Sequence, residues 1–253
     1  MKSMPHATGN RDETLDTLST GGIRIFQLRE GYRFSLDSLI LPFFLEGVSG
    51  NSLIELGAGS GVISMIVARR FREGRLVAVE IQRRLYDLLT RNLSLNGLSG
   101  RIEAVLGDVR ETGKMFEPGE FDRVFSNPPF RRVRSGRMSS DPEKAMARHE
   151  VLLTLEELVR AAEYLLAWKG KFSLIYLPER LAELIAELRR RKLEPKRMRT
   201  IHSFPGSPPV LILMEAVKGA RPGMLIEAPF VIYRDRSGRY TDEMQAIYDF
   251  TGE

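Results

Sequence analysis

The chain has 253 residues, 43% hydrophobic and 28% charged, the balance of a soluble globular protein with room for one large α/β domain or two small ones. It contains no cysteine, which excludes disulfides, thiolate metal sites, iron–sulfur clusters and a cysteine nucleophile. No apolar run is long enough to span a bilayer and residues 1–18 lack the apolar core of a signal peptide, so a cytoplasmic location is the simplest expectation. A net charge of +5 says little about partners until its distribution is known.

In chain order, residues 1 to about 20 read as a flexible, polar lead-in without a periodic apolar face. Ile23, Ile25 and Leu28 suggest a short strand, with a second around Tyr32-Arg33-Phe34. Next comes a helix from Ser38 to Glu46, capped by Ser35 or Asp37 and bent or limited by Pro42. Residues 1–50 are expected to be a small unit that packs on the core of the chain.

From Ser52 the pattern alternates between apolar runs and amphipathic stretches. Strands are expected at Leu53–Leu56, Leu76–Val79, Ile102–Leu106, Phe121–Ser126 and Lys171–Leu177. Helices are expected at Val62–Phe71, Arg83–Leu95, Leu155–Ala167 and Glu179–Arg191. Asn96-Gly97 stops the second helix, and Thr154 with Glu157 forms a capping box on the third. Lys196–Ser203 and Val210–Val217 are joined without a helix, so they form a hairpin that adds an antiparallel strand to a mostly parallel sheet. A core over residues 51–218 is then followed by a tail, 219–253, with an edge strand at Phe230–Tyr233 and a terminal helix at Asp242–Phe250.

Glu55-Leu56-Gly57-Ala58-Gly59-Ser60-Gly61 lies where a strand ends and a helix opens. Gly57, Gly59 and Gly61 let the backbone approach a ligand closely. The spacing is not the G-x-G-x-x-G of a dinucleotide site, and Glu55 would repel a pyrophosphate while suiting an ammonium group. S-adenosylmethionine carries that ammonium together with a ribose and an adenine. Glu80 ends the next strand, placed to accept from ribose hydroxyls, and Asp108 follows the third, placed to accept from an adenine amino group. A nicotinamide dehydrogenase is the competing reading of the same loop.

At the fourth strand end, Asn127-Pro128-Pro129-Phe130 leaves the sheet stiffly and extended. The Asn127 side-chain oxygen and the Pro128 carbonyl are placed to accept both N–H bonds of a planar amine, with Phe130 stacked on its ring. After it, Arg131, Arg132, Arg134, Arg137, Lys144, Arg148 and His149 crowd a polar segment suited to phosphates around an extruded nucleotide. A second basic cluster, Arg189–Lys192 with Lys196, Arg197 and Arg199, either extends that surface or serves its helix end. No cluster of metal ligands is visible.

Gly57-Ala58-Gly59-Ser60-Gly61 together with Asn127-Pro128-Pro129-Phe130 resembles the class I, Rossmann-like methyltransferases acting on exocyclic or amide nitrogens, over roughly residues 30–217. The resemblance implies a seven-stranded sheet of order 3-2-1-4-5-7-6 with strand seven antiparallel and helices on both faces. A finer resemblance, to the bacterial tRNA(Val) adenine-N6 methyltransferases that modify the adenosine next to the anticodon, rests on Asp37-Ser38-Leu39-Ile40-Leu41, Val79-Glu80-Ile81-Gln82, Arg91-Asn92, Leu95-Asn96-Gly97-Leu98, Ala147-Arg148-His149-Glu150, Pro178-Glu179-Arg180-Leu181, Glu215-Ala216-Val217-Lys218-Gly219 and Tyr240-Thr241. It implies tRNA as partner and S-adenosylmethionine as cofactor, with Asp37, Ile81 and Val109 joining the cofactor residues. Phe130 departs from the Tyr of many relatives and is shared with ribosomal guanine-N2 enzymes. Three alternatives stay open at this point: guanine N2 in rRNA, the glutamine amide of release factors, and a non-catalytic RNA-binding protein.

Overall fold

The computed structural model describes residues 12–30, 33–47, 51–128 and 153–252. Its centre is a nine-stranded sheet. Five strands run parallel: β3 (Leu53–Leu56), β4 (Leu76–Glu80), β5 (Ile102–Leu106), β6 (Phe121–Ser126) and β7 (Leu166–Tyr176). β8 (Leu193–His202) and β9 (Pro209–Lys218) complete it, with β9 antiparallel to both β7 and β8. The order β5-β4-β3-β6-β7-β9-β8 is the expected 3-2-1-4-5-7-6 when β3 is counted as strand one. Two short strands, β10 (Leu225–Ile226) and β11 (Phe230–Val231), cover the outer edge of β8 in parallel, a common way to blunt an open edge.

Helices flank both faces because the strands are apolar on both sides, as a parallel sheet requires. On one face α1 (Leu36–Phe44), α2 (Val62–Arg70) and α3 (Arg83–Leu95) share a core with α6 (Asp242–Tyr248). On the other, α4 (Leu155–Leu165) and α5 (Leu181–Arg190) pack on Ile54, Leu56, Val77, Phe172 and Leu174. α2 is buried at every position from Val62 to Ala68, held between the sheet and α1. Pro42 lies inside α1, where it cannot donate to the carbonyl four residues back; Arg70 donates to the freed end of the helix at the Pro42 and Leu45 carbonyls and lies over the Phe43 ring.

The beginning of the chain departs from expectation. Glu13–Leu18 is not a flexible lead-in but a strand, β1, paired antiparallel with β2 (Ile23–Leu28) from Glu13↔Leu28 to Leu18↔Ile23. Its Thr and Asp residues hid it, because only one side of β1 needs apolar groups. The hairpin is fastened by distant partners. Arg91 forms a fork on Glu13, and Asn92 satisfies both the N–H and the carbonyl of Phe26 at 2.8 and 3.1 Å. Residues 33–35 form no strand; Arg33 instead donates to Asp16 at 2.9 Å and the Phe34 N–H to Gln27 at 3.1 Å. α4 ends at Leu165, and β7 begins at once rather than at Lys171, with an irregularity in its pairing to β6 between Phe121 and Arg123. Lys169 takes a positive φ of 66° inside that bulge, which a pattern of apolar residues does not announce.

Candidate active site

The sheet order turns between β3 and β6, since successive crossovers leave β3 in opposite directions, and ligands of open parallel sheets bind outside the carboxyl ends at such a point. Register sets the heights. Glu55 pairs with Phe125, Leu56 with Val79, and Glu80 with Leu106. Carried on by one or two residues, this register brings Asn127, Gly57 and Glu80 to one level, with Asp108 two residues above Leu106. At about 4.8 Å between strands, β6, β3, β4 and β5 together span roughly 14 Å of floor.

The start of the loop after β3 is tied to β4 by backbone bonds: the Gly57 and Ala58 N–H groups both donate to the Val79 carbonyl, at 3.0 and 2.9 Å. Gly57 has φ +77° and no atom within 4 Å of where a Cβ would stand, so its exposed side is open floor. Gly61, with φ +90°, caps the start of α2, and a Cβ there would run into the Leu89 side chain of α3. Open space explains the first glycine; a close helix crossing explains the third. Gly59 donates its N–H to Glu80 Oε2 at 2.8 Å.

The three carboxylates differ in state. Glu80 is buried, and its second oxygen accepts the Gln82 N–H at 2.8 Å. Burial pushes its carboxyl upward against the opposing pull of those backbone bonds. Glu55 is wholly out of water. Its Oε2 accepts from the Ser64 hydroxyl of α2, its Oε1 has no partner among the described residues, and burial pushes the carboxyl up to about 8. Asp108 caps the short turn Val109–Lys114 and accepts a fork from Arg110, with Nη2 to Oδ2 at 2.6 Å. That guanidinium holds Asp108 below the usual carboxylate range. Ile81 is half-buried beside Glu80, and Val109 is buried in the core on the α4 face.

Asn127 is half-buried and Pro128 buried directly after β6. The Asn127 Nδ2 donates to Asp37 Oδ2 at 2.9 Å and reaches Ser38 Oγ at 3.4 Å. Asp37 accepts from the Ser35 hydroxyl on its other oxygen. Among the described residues the buried Asn127 Oδ1 has no hydrogen-bond partner. Asp37 therefore meets Asn127 in the structure, and Gly57, Gly59, Gly61, Glu80 and Asp108 gather on the adjoining strand ends. Phe130, Arg131, Arg132, Arg134, Arg137, Arg148 and His149 lie outside the described residues.

Sequence reasoning missed the supports of this edge. Ser64 holds Glu55, Ser126 Oγ donates to the Leu56 carbonyl at 2.7 Å, and Asn92 Nδ2 donates to the Ser60 carbonyl at 3.0 Å. Asn92 carried a signal, since it interrupts the apolar face made by Leu85, Leu88, Leu89 and Leu93 of α3. The arginines of the second basic cluster are paired internally. Arg189 pairs with Glu194, Arg190 with Glu156 and Glu187, Arg197 with Glu46 and Glu227, and Arg199 with Glu243. Its residues serve the helix end and the tail. Among the described residues no group of His, Asp and Glu could hold a metal ion, and no helix is long and apolar enough to cross a membrane.

A seven-stranded core of this order, a glycine-rich turn after its first strand and an Asn-Pro exit from its fourth define the class I, Rossmann-like methyltransferase architecture. A family model, the methyltransferase small domain, matches residues 37–183, and the chain belongs to that family. Among curated relatives, a tRNA1(Val) (adenine(37)-N6)-methyltransferase of Porphyromonas gingivalis is 30% identical over 164 residues, 64% of each chain. A protein of the same name from Shewanella loihica is 29% identical over 223 residues, 86% of this chain and 90% of that one. This chain thus spans just under two thirds of the first relative and most of the second. A predicted O-methyltransferase from Agrobacterium tumefaciens has the same fold, with TM-score 0.70, 23% identity and coverage of 85% of this chain and 96% of that one. So does a 16S rRNA N2 methyltransferase of T. thermophilus in complex with AdoMet and guanosine, at TM-score 0.57 and 21% identity, covering 86% of this chain and 53% of that one.

Proposed function

We propose that this protein transfers a methyl group from S-adenosylmethionine to the exocyclic N6 amine of an adenine in tRNA, next to the anticodon, in the cytoplasm. The observation that carries the reading is the buried Oδ1 of Asn127, unpartnered among the described residues, an acceptor left at the end of β6 level with Gly57 and Glu80. The choice of adenine and tRNA is supported by the names that the relatives bear at 27–30% identity.

The residues present suit the cofactor. Gly57 leaves space against the backbone, and the Gly59 and Gln82 N–H groups hold separate oxygens of Glu80, fixing a carboxylate to accept from ribose hydroxyls. The edge gathers Glu55, Glu80 and Asp108, a donor-seeking set that suits an ammonium, a ribose and an adenine amine better than a pyrophosphate. In this reading Glu55, Gly57, Gly59 and Gly61 hold the amino-acid end, Glu80 and Ile81 the ribose, and Asp108 and Val109 the adenine. When bound, S-adenosylmethionine supplies an electrophilic methyl on a sulfonium.

An exocyclic amine is a poor nucleophile because its lone pair is delocalised into the ring. The Asn127 Oδ1 and the Pro128 carbonyl accept its two N–H bonds from one side, which favours a pyramidal nitrogen and aims the recovered lone pair across the cleft. The work done by these residues is positioning and preorganised acceptance of developing positive charge. Phe130 would stack on the base, and Arg131, Arg132, Arg134, Arg137, Arg148 and His149 would hold phosphates around it. Residues 51–218 form the transferase core in this account, with the small unit of 1–50 and the tail of 219–253 packing on it. The test is methyl transfer to tRNA and rRNA from cells lacking the modification, followed by nucleoside analysis. N6-methyladenosine in tRNA is expected; N2-methylguanosine in rRNA overturns the substrate, and no transfer to any RNA overturns the reading.

A further inference from the structure

The side chain that orients Asn127 belongs to a different part of the fold. A primary amide has two N–H donors and a carbonyl acceptor to satisfy. Here the nitrogen is committed to Asp37 Oδ2 at 2.9 Å, with Ser38 Oγ at 3.4 Å, while the oxygen is buried with nothing to accept from among the described residues. Turning the amide over would set its oxygen against a carboxylate, acceptor against acceptor, so one orientation is enforced. The carboxylate is itself held, since the Ser35 hydroxyl donates to Oδ1. Ser35 and Asp37 stand where α1 begins, with the Ser38 N–H donating to the Ser35 carbonyl at 3.0 Å, and negative charge is favoured at a helix start.

We infer that Asp37 is a positioning residue: it acts through Asn127, locking the amide so that only its oxygen is offered to the substrate. The inference rests on the reading of Asn127 as the amine acceptor. It makes α1 a working part of the site, because the segment before the core decides what Asn127 presents. It also supplies a selection rule. A ring edge offering N–H donors satisfies the buried oxygen, whereas a keto edge leaves two acceptors facing each other, and a desolvated acceptor without a donor is strongly disfavoured.

The test compares Asp37→Ala and Asp37→Asn in the full chain. Three quantities are read: kcat and KM on unmodified tRNA, the Kd of S-adenosylhomocysteine, and hydrogen exchange of the Asn127 side-chain amide in protein labelled with 15N-asparagine. Asp37→Ala should lower kcat about 10²-fold, the loss expected of a misplaced reacting group. KM and the S-adenosylhomocysteine Kd should change little, and exchange of the Asn127 amide should accelerate. Asp37→Asn keeps the shape, accepts from Nδ2 through its own oxygen and donates to Ser35 Oγ, so it should recover most of the turnover and the protection. A loss of S-adenosylhomocysteine affinity with kcat retained overturns the inference and makes Asp37 a cofactor contact. An Asp37→Asn protein as impaired as Asp37→Ala overturns it too, as does unchanged amide exchange in Asp37→Ala. If the wild-type protein methylates no adenine, the proposed substrate fails, while the exchange measurement still decides whether Asp37 locks the amide.

Discussion

Glu55 offers a test that needs no substrate. Its side chain sits fully out of water with one hydroxyl donor and an unpartnered oxygen, and burial pushes the carboxyl from 4.5 to about 8. The folded chain then keeps a proton that the unfolded chain has released. The stability this group contributes is fully present below the unfolded value and is lost as pH rises toward the folded one, with a slope of at most about 1.4 kcal/mol per pH unit. Between about pH 5 and about pH 8 the loss comes to roughly 3–4 kcal/mol by the same linkage. Glu55→Gln cannot ionise and its amide oxygen still accepts from Ser64, so the variant should not show that loss. Glu80, also pushed upward by burial, is present in both proteins, and its repulsion of Glu55 is the smallest of the causes acting on that carboxyl. Urea unfolding at the two pH values gives the result directly: Glu55→Gln should gain about 3–4 kcal/mol relative to wild type on going to the higher pH. A relative change below about 1 kcal/mol would refute the reasoning, because the carboxyl would then be ionised throughout. If Glu55 meets the cofactor ammonium as proposed, saturating S-adenosylhomocysteine should flatten the wild-type slope and release a proton on binding near neutral pH, measurable by calorimetry in buffers of different ionisation heat.

Three further outcomes concern the frame of the site. Arg123 is 1% exposed and donates to Glu215, itself 1% exposed, at 2.9 Å; Arg123→Met should cost about 3 kcal/mol in urea unfolding, since a buried carboxylate loses its main partner, and a cost below about 1 kcal/mol would show that Lys171, at 3.2 Å, suffices. Gly61→Ala combines a left-handed backbone with a collision at Leu89, so a loss of about 2–3 kcal/mol is expected; a variant as stable as wild type would mean that α3 is free to retreat. Thr154→Ala removes a complete capping box on α4, with an expected cost of about 1 kcal/mol by the same assay; no change would show the cap to be idle.

Much of the frame was legible because local signals agreed with the final environment. α3, β5 and β6 fall at the bounds that apolar periodicity and the Asn96-Gly97 stop imply. β1 was not legible: Glu13–Leu18 alternates weakly, and its order comes from β2 and from Arg91, 78 residues on from Glu13. The early start of β7 depends on a bulge at Lys169-Gly170, a backbone event without an apolar signature. In the site, the positions could be read from the chain but not their partners. The Asn127–Asp37 bond joins residues 90 apart, and nothing near Asn127 says which of its amide atoms is left free. Likewise the acidic residue before the glycine loop reads as a partner for a ligand's ammonium, and nothing near it in the chain says that the fold places Glu55 inside, against Ser64. Of the two readings left open for the basic run at Arg189–Lys192, the helix-end one fits, because carboxylates from α4, α5 and β8 pair with its arginines.

The central claim is that the buried Asn127 oxygen receives the amine that is methylated. It is tested most directly by comparing wild type with Asn127→Ala on tRNA lacking the modification, reading methyl transfer and nucleoside identity together with the Kd for S-adenosylhomocysteine. The account predicts N6-methyladenosine with wild type, turnover lower by about 10²–10³-fold in the variant, and an unchanged Kd. Near-full turnover by Asn127→Ala, or a methylated nucleoside other than N6-methyladenosine, would contradict it.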